Sequence, residues 1–149
     1  MESKAMNSHT QHYIDGAWVD SDGGTRHHVI NPATEAACTE ITLGSVADVD
    51  KAVAAARRAF ESWSQTSVAE RAALLQRIIE EYKARMPDLA AAVSTEMGAP
   101  IGFATAAQVP AGLGHFISTA KALADFPFEE RLGRAKVVHE PLGVVAMIT

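Results

Sequence analysis

The sequence has one cysteine, few aromatic residues and no long apolar run, and each shortage excludes a class of protein. Because Cys38 has no second cysteine to pair with, an internal disulfide is impossible, which fits a reducing compartment. A membrane-spanning helix needs about 18 or more consecutive apolar residues, and the sequence contains no such run. The N-terminus also lacks the hydrophobic stretch of a secretory signal. We therefore expect a cytoplasmic protein without a membrane partner.

An excess of positive charge is also missing. The chain carries 13 Lys and Arg residues against 18 Asp and Glu residues, a formal net charge of −5. Domains that bind nucleic acid usually present a basic patch or stripe. The composition therefore predicts no nucleic-acid partner.

The length and composition of the chain are sufficient for a folded domain. The chain has 149 residues, of which 48% are hydrophobic and 21% are charged, and this length allows a hydrophobic core. Residues 1–11 are polar and have no apolar periodicity, so we expect a flexible tail there.

Turn signals predict two pairs of strands after the tail. Asp15-Gly16 lies between short apolar runs, which is the strongest local signal for a β-hairpin. Asn31-Pro32 interrupts a second extended run, and the run resumes around residues 38–41. The first part of the chain is therefore expected to be β-structure.

Two capping boxes predict the first helices. Ser45 is followed by Asp48, and Ser67 is followed by Glu70, so each serine has an acidic residue three positions later. After the first box, apolar residues recur at four- and three-residue steps and share one helix face. These residues are Val49, Val53, Ala56, Phe60 and Trp63.

Proline and glycine divide the remaining helical pattern. Pro87 suits the first turn of a shorter helix, and Gly98 suits the position after its end. An alanine-rich stretch then runs from Pro100 to about Leu123, and we expect Pro110 to kink or divide it.

Past residue 125 the pattern returns to strands. Residues 126–129 and 135–139 read as two strands joined near Gly133, and residues 143–149 read as a third. The third run is apolar on both faces, which is typical of a strand in a parallel sheet covered by helices on both sides. The predicted fold class is therefore α/β.

The motifs that could carry chemistry are incomplete by themselves. Gly112-Leu113-Gly114 begins like a dinucleotide fingerprint, but the third glycine is missing and a helical pattern surrounds it. We interpret it as two glycines packed between helices. Cys38 has no neighbouring group that would activate its thiol, so we interpret it as a small packed side chain. The histidines form no metal-binding pattern and are expected to be solvated.

Taken together, the ordered motifs resemble the opening of the NAD(P)-dependent aldehyde dehydrogenase superfamily, over about residues 13–149. The residues that carry this resemblance are 13–18 (YIDGAW), 30–34 (INPAT), 49–60 (VDKAVAAARRAF), Trp63, 70–75 (ERAALL), 98–100 (GAP) and 140–145 (EPLGVV).

The resemblance implies oxidation of an aldehyde to a carboxylate with NAD or NADP through a cysteine thioester. In that family a cysteine attacks the aldehyde, an asparagine and a backbone amide stabilise the oxyanion, and a glutamate activates water. All of these residues lie beyond the matching part, and Cys38 matches none of them. The resemblance therefore implies that this chain alone is inactive.

The resemblance also implies domain boundaries. Residues 12–124 correspond to the N-terminal part of the cofactor-binding domain, with β-hairpins and a helical layer. Residues 125–140 correspond to part of the oligomerisation arm, which suggests a homo-oligomer formed by strand pairing. Residues 141–149 correspond to the first strand of the dinucleotide-binding sheet, truncated.

Two sites carry over from the family. Ile148 and Thr149 match residues whose backbone borders the cofactor. Val29 and Ile30 match a pair whose carbonyls ligate a structural Na⁺ or K⁺ ion, and Glu96 matches the acidic residue of that cation site. The family usually has aspartate there, so the longer glutamate side chain departs from the pattern.

Two other interpretations stay open beside the enzyme. The chain could be a non-catalytic fragment or association module that associates through its exposed strands, or a self-sufficient helical binding module. NAD-dependent turnover by the chain alone would exclude the fragment. A cooperative melt of the monomer would favour the binding module.

Overall fold

The structure, a computed structural model, describes residues 7–148. In this part of the chain, seven short strands form one three-stranded sheet and two hairpins. The strands are β1 Asn7–His9, β2 Gln11–Ile14, β3 Ala17–Asp20, β4 Thr25–Asn31, β5 Ala36–Leu43, β6 Glu129–Leu132 and β7 Ala135–Val138.

The three-stranded sheet has the order β1-β5-β4. Strand β1 runs parallel to β5, with Asn7 opposite Thr39, while β4 and β5 are antiparallel. The expected flexible tail over residues 1–11 is therefore wrong for residues 7–9, which form β1, and for Gln11, which begins β2. The polar composition of residues 7–9 gives no sequence signal for a strand, because backbone pairing with β5 does not require apolar side chains. Residues 1–6 of the predicted tail lie outside the described residues.

The hairpin predicted at Asp15-Gly16 is confirmed. Strands β2 and β3 are antiparallel, with Ile14 opposite Ala17. Asp15 and Gly16 have φ values of 55° and 81°, and a two-residue turn with two positive φ angles matches the twist of the flanking strands. The Tyr13 and Trp18 rings meet edge to face across the pair, with their centroids 5.3 Å apart.

The helices follow the predicted order. They are α1 Val46–Trp63, α2 Val68–Ala84, α3 Met86–Met97, α4 Ile101–Phe103, a π-helical segment Ala104–Gln108, and α5 Val109–Asp125.

Both predicted capping boxes are formed. Ser45 caps α1 and Ser67 caps α2, and the acidic partner of each returns a hydrogen bond to the cap backbone. Gly98 ends α3 with φ 73°, a left-handed conformation that a glycine adopts without strain.

The predicted break at Pro110 takes a different form. The chain stays helical from α4 through α5, and the π-helical segment lies just before the proline. The Val109 N–H donates to the Ala104 carbonyl, five residues back. Proline has no N–H to donate and its ring crowds the preceding turn. A wider turn accommodates this without interrupting the helix.

The helical layer packs around small side chains. Ala90, Ala104 and Val109 are buried, and Tyr82 and Leu89 are among the half-buried side chains that pack against them. Small residues let the helix backbones approach closely, which keeps this core dense without large side chains.

Tyr82 and Gly112 hold α2 against α5. The Tyr82 hydroxyl donates to the Val109 carbonyl at 3.0 Å. A Cβ atom on Gly112 would lie only 3.2 Å from Tyr82 Cζ, whereas one on Gly114 would meet nothing within 4 Å. The prediction of two packed glycines is therefore confirmed for Gly112 and wrong for Gly114, which is exposed on α5.

The predicted strand over residues 141–149 differs from the structure, because residues 141–148 form neither helix nor strand. A strand is stabilised by backbone hydrogen bonds to a neighbour, and no strand of residues 7–148 pairs with this segment. Residue 149 lies outside the described part. The β6–β7 hairpin falls within the predicted arm, and all its residues are exposed.

None of the helices in the described residues has the length and apolar character needed to cross a bilayer.

Candidate functional site

The predicted cation-binding carbonyls lie at an irregularity of the sheet. Val29 pairs with Thr39 and Ile30 pairs with Ala37, so Cys38 is an extra residue on β5. Such a bulge leaves the extra residue unpaired and locally disrupts the ladder. The Cys38 thiol donates to the Val29 carbonyl at 3.3 Å. This contact gives Cys38 a structural partner.

Glu96 lies in the last turn of α3. This helix packs against β4, and a Cβ atom on Gly98 would lie 2.7 Å from Pro32 Cγ. The Glu96 residue itself is exposed. Strand β4 and the end of α3 are thus neighbours, which places the three predicted residues on contacting elements.

The donor atoms fit a hard cation better than a transition metal. Backbone carbonyl and carboxylate oxygens suit hard cations, whereas zinc sites use histidine and cysteine. Within the described residues, no group of three or more His, Cys, Asp or Glu side chains could hold a metal ion. The Val29 carbonyl already accepts from the Cys38 thiol.

The predicted cofactor-bordering residues lie at the end of the chain. Ile148 is 93% exposed, and Thr149 lies outside the described residues. Leu142, Val145 and Met147 in the same segment are also exposed.

The sequence predicts only a capping role for Asp48, but the structure places its carboxylate in a larger hydrogen-bonded network. One carboxylate oxygen accepts from the Asp22 N–H at 2.9 Å, and the other accepts from the Ser45 N–H at 2.9 Å and from the Ser21 hydroxyl. The Asp22 N–H, then the Ser21 hydroxyl and then the Ser45 N–H hold the pKa of the Asp48 carboxyl well below its usual range. Asp48 therefore ties the loop after β3 to the start of α1.

His12 belongs to the surroundings of this network. Like the other histidines, His12 is predicted to be solvated, but it is half-buried and lies on β2 opposite Val19. Its Nε2 atom is 3.9 Å from Asp48 Oδ2. Nothing in the sequence near His12 signals this contact, because 36 positions separate the two residues.

An aromatic groove runs between the α1–α2 turn and the residues after β7. It is lined by Phe60, Trp63, Phe126, Phe128 and Pro141, among others. The Phe126 and Phe128 rings are 4.7 Å apart. The helical spacing of Phe60 and Trp63 indicates their shared face, but only the tertiary structure places them opposite the two later phenylalanines.

Polar groups of the groove are already engaged. The Arg71 guanidinium lies 5.1 Å from the centre of the Phe128 ring and donates to the Thr66 carbonyl at 3.0 Å. The Ser67 hydroxyl donates to Glu70 at 2.8 Å within the helix cap. The groove is suited to apolar contact and holds no activated nucleophile.

Known proteins match this chain over nearly its whole length. The sequence model of the aldehyde dehydrogenase family matches residues 18–149. A 3-succinoylsemialdehyde-pyridine dehydrogenase from a Pseudomonas species is 46% identical over 145 residues, which cover 97% of this chain and 30% of the relative.

Solved structures agree with the sequence match. An aldehyde dehydrogenase from Bartonella henselae is 42% identical with a TM-score of 0.84, covering 87% of this chain and 27% of that one. A mutant aldehyde dehydrogenase C from Pseudomonas syringae, solved with NAD⁺ and octanal, is 42% identical with a TM-score of 0.87, covering 89% of this chain and 27% of that one.

This chain spans about 30% of the length of the curated relatives that it matches. The matched part is their N-terminal portion, with mixed helices and strands in the same arrangement. The family match, the relatives and the fold agree with one another, and the chain belongs to the aldehyde dehydrogenase family.

Proposed function

We propose that this chain is the N-terminal segment of an enzyme that oxidises an aldehyde to a carboxylate with NAD or NADP. The observation that carries the proposal is the family match over residues 18–149. In the proposed reaction a cysteine thiolate adds to the aldehyde carbon, and a hydride passes from that carbon to the nicotinamide. Water then cleaves the thioester, giving the carboxylate and restoring the thiol.

The reacting groups are supplied, in this proposal, by sequence that follows the matched part. Cys38 is not the nucleophile, because its thiol donates to the Val29 carbonyl and no histidine hydrogen bond activates it in the described residues. The 149-residue chain alone is therefore expected to be inactive, as a non-catalytic fragment or association module.

The proposal assigns cofactor contact to the backbone of Ile148 and Thr149. Several solved relatives contain NAD⁺, including the octanal complex, which supports NAD as the cofactor of this protein as well. The bound cofactor supplies the hydride acceptor, and the role of these two residues is to border its site.

A structural Na⁺ or K⁺ ion is proposed between β4 and the end of α3. The carbonyls of Val29 and Ile30 and the carboxylate of Glu96 would hold it, since oxygen donors suit such ions. Replacing Na⁺ and K⁺ by choline should lower the melting temperature of the natural sequence. Glu96→Gln should abolish that dependence, whereas Glu81→Gln, an exposed control on α2, should retain it.

The proposal also includes the oligomeric state and the cellular location of the protein. Among residues 7–148, no third strand pairs with the exposed β6–β7 hairpin, and unpaired strand edges favour strand pairing between subunits. We propose a cytoplasmic homo-oligomer that takes a small aldehyde as substrate and binds no nucleic acid or membrane.

A chimaera tests the proposed activity. Residues 1–149 would replace the matching segment of the Pseudomonas 3-succinoylsemialdehyde-pyridine dehydrogenase, and reduction of NAD⁺ and NADP⁺ would be followed with octanal and a semialdehyde. We expect aldehyde-dependent reduction by the chimaera and none by the 149-residue chain. A folded but inactive chimaera would contradict the proposal, and turnover by the 149-residue chain would overturn the assignment of the reacting groups.

A further inference from the structure

The β2–β3 hairpin lies along one face of α1, and strand β2 contacts this helix directly. Lys51, Ala55 and Arg58 are spaced by four and three residues, so they share a helix face. Lys51 Nζ is 3.0 Å from a carboxylate oxygen of Asp22, just after β3, and Arg58 Nη2 is 2.8 Å from one of Asp15, in the turn. Ala55, between the two ion pairs, is buried. The hairpin is therefore fastened to α1 at both of its ends.

The side chains of the hairpin alternate between two environments. Tyr13 on β2 and Trp18 on β3 are exposed, whereas His12, Ile14 and Val19 are half-buried. Successive side chains of a strand point to opposite faces. His12 therefore belongs to the inner face of the hairpin, together with two apolar residues.

The end of the His12 imidazole is enclosed between the hairpin and the start of α1. Its Nε2 atom is buried and has no hydrogen-bond partner within the part of the chain that the structure describes. This atom lies 3.9 Å from Asp48 Oδ2, and a Cβ atom on Gly44 would lie 3.7 Å from it. A buried polar atom without a partner weakens the contact that encloses it.

The state of His12 decides how this nitrogen interacts with Asp48. The Asp22 N–H, then the Ser21 hydroxyl and then the Ser45 N–H hold the pKa of the Asp48 carboxyl well below its usual range, so it is an anion near neutral pH. A separation of 3.9 Å is too long for a hydrogen bond from a neutral imidazole. A protonated imidazole is attracted to the anion across the same distance.

Asp48 is the charged group that faces His12 most directly. Among residues 7–148, it provides the one carboxylate oxygen within 4.0 Å of a His12 nitrogen. The other charged or titratable groups on β1, the hairpin and the adjoining turns of α1 are engaged elsewhere or exposed. They are Lys51 paired with Asp22, Arg58 paired with Asp15, Asp20 bound to Gln11, and the exposed His9 and Tyr13.

We propose that His12 makes the docking of the β2–β3 hairpin on α1 dependent on pH. The protonated imidazole is drawn towards Asp48 and holds the hairpin against the helix. Loss of the proton leaves a neutral, unpartnered Nε2, and the hairpin loosens while the helical core stays folded. Because histidine side chains change charge between about pH 5 and pH 8, this stabilisation is present at the acidic end of that range and is lost as the pH rises. This device is independent of the proposed aldehyde oxidation.

Variants of the 149-residue chain test the role of His12. Between about pH 5 and pH 8, the melting temperature of the natural chain should fall by about 2–4 °C more than that of His12→Gln, whose side chain does not titrate. His27→Gln removes an exposed imidazole on β4 and should behave like the natural chain. An equal fall for the natural chain and His12→Gln would overturn the inference.

Hydrogen–deuterium exchange locates the change in the fold. After correction for the intrinsic effect of pH on exchange, protection of residues 11–20 should fall at least about threefold from about pH 5 to pH 8. Protection of residues 82–109, which contain the helical core, should stay the same. His12→Lys keeps a positive charge over this range and should show no such fall. Protection of residues 11–20 that does not change with pH in the natural chain would overturn the inference, even if neither His12 variant folded.

Discussion

The helical core and the end of the chain contain similar residue types, but they bury them very differently. Ala104 is fully buried and Val109 is 3% exposed, whereas Leu142 is 95% exposed. In the first region every helix finds a neighbour within the chain. In the second, residues 141–148 have no strand partner among the described residues. Apolar residues are therefore favoured in buried positions, but whether they are buried depends on which helices or strands pack against them.

The largest loss of stability is expected when a larger side chain is placed in the helical core. Ala104→Leu adds a large side chain at a fully buried position, so we expect the free energy of unfolding to fall by about 1–3 kcal/mol. Ala106→Leu places the same side chain at an exposed position of the same segment and should change it by less than about 0.5 kcal/mol. Urea unfolding measures both. Equal midpoints for the two variants would contradict the assignment of the core.

A smaller effect should separate two glycines of α5. Gly114→Ala should stabilise the chain by about 0.5–1 kcal/mol, because alanine favours the helix and meets no neighbour. Gly112→Ala crowds Tyr82 and displaces its hydroxyl from the Val109 carbonyl, which costs about 1 kcal/mol or more and offsets that gain. Thermal melts of both variants give the difference. A Gly112→Ala variant as stable as Gly114→Ala would show that Tyr82 moves freely.

Acid should weaken the link between the β2–β3 hairpin and α1. The pKa of the Asp48 carboxyl is lower in the folded chain than its usual value, chiefly because the Asp22 N–H donates to it. The resulting stability is complete well above the unfolded pKa, about 3.9, and is lost as the pH falls below it towards the folded value.

Asp48→Asn should therefore flatten the loss of stability as the pH falls from about 5 through the unfolded pKa of about 3.9 towards the lower folded value. Asp50→Asn alters an exposed aspartate on the same helix and should leave the acid dependence largely intact. Melting temperatures across this range give the comparison. An unchanged pH profile for Asp48→Asn would show that the carboxylate contributes little to folding.

The smallest effect is expected at the end of the chain. Met147→Ser removes an apolar side chain that is 91% exposed. The free energy of unfolding of the isolated chain should therefore change by less than about 0.5 kcal/mol. Val109→Ala, a smaller change in the core, should cost more. A large loss of stability for Met147→Ser would show that residues 141–148 pack within this chain after all.

Local chemistry made much of the fold predictable. The cap residues Ser45 and Ser67 and the turn residues Asp15 and Gly16 act on neighbours within a few positions, and each formed the expected structure. The contact between Glu96's helix and β4 was expected only through the family resemblance. Spacing alone does not indicate which distant elements meet.

The sequence by itself determined the order of the helices, the starts of α1 and α2, the hairpin turn and the family. Caps and turns depend on short-range hydrogen bonds and φ preferences, which the local sequence encodes. The tertiary structure alone decided the parallel pairing of β1 with β5, the second role of Asp48, the π-helical turn before Pro110 and the aromatic groove. The strand pairing, the second role of Asp48 and the groove depend on contacts between distant residues, whose free energy is gained only after the chain has brought them together.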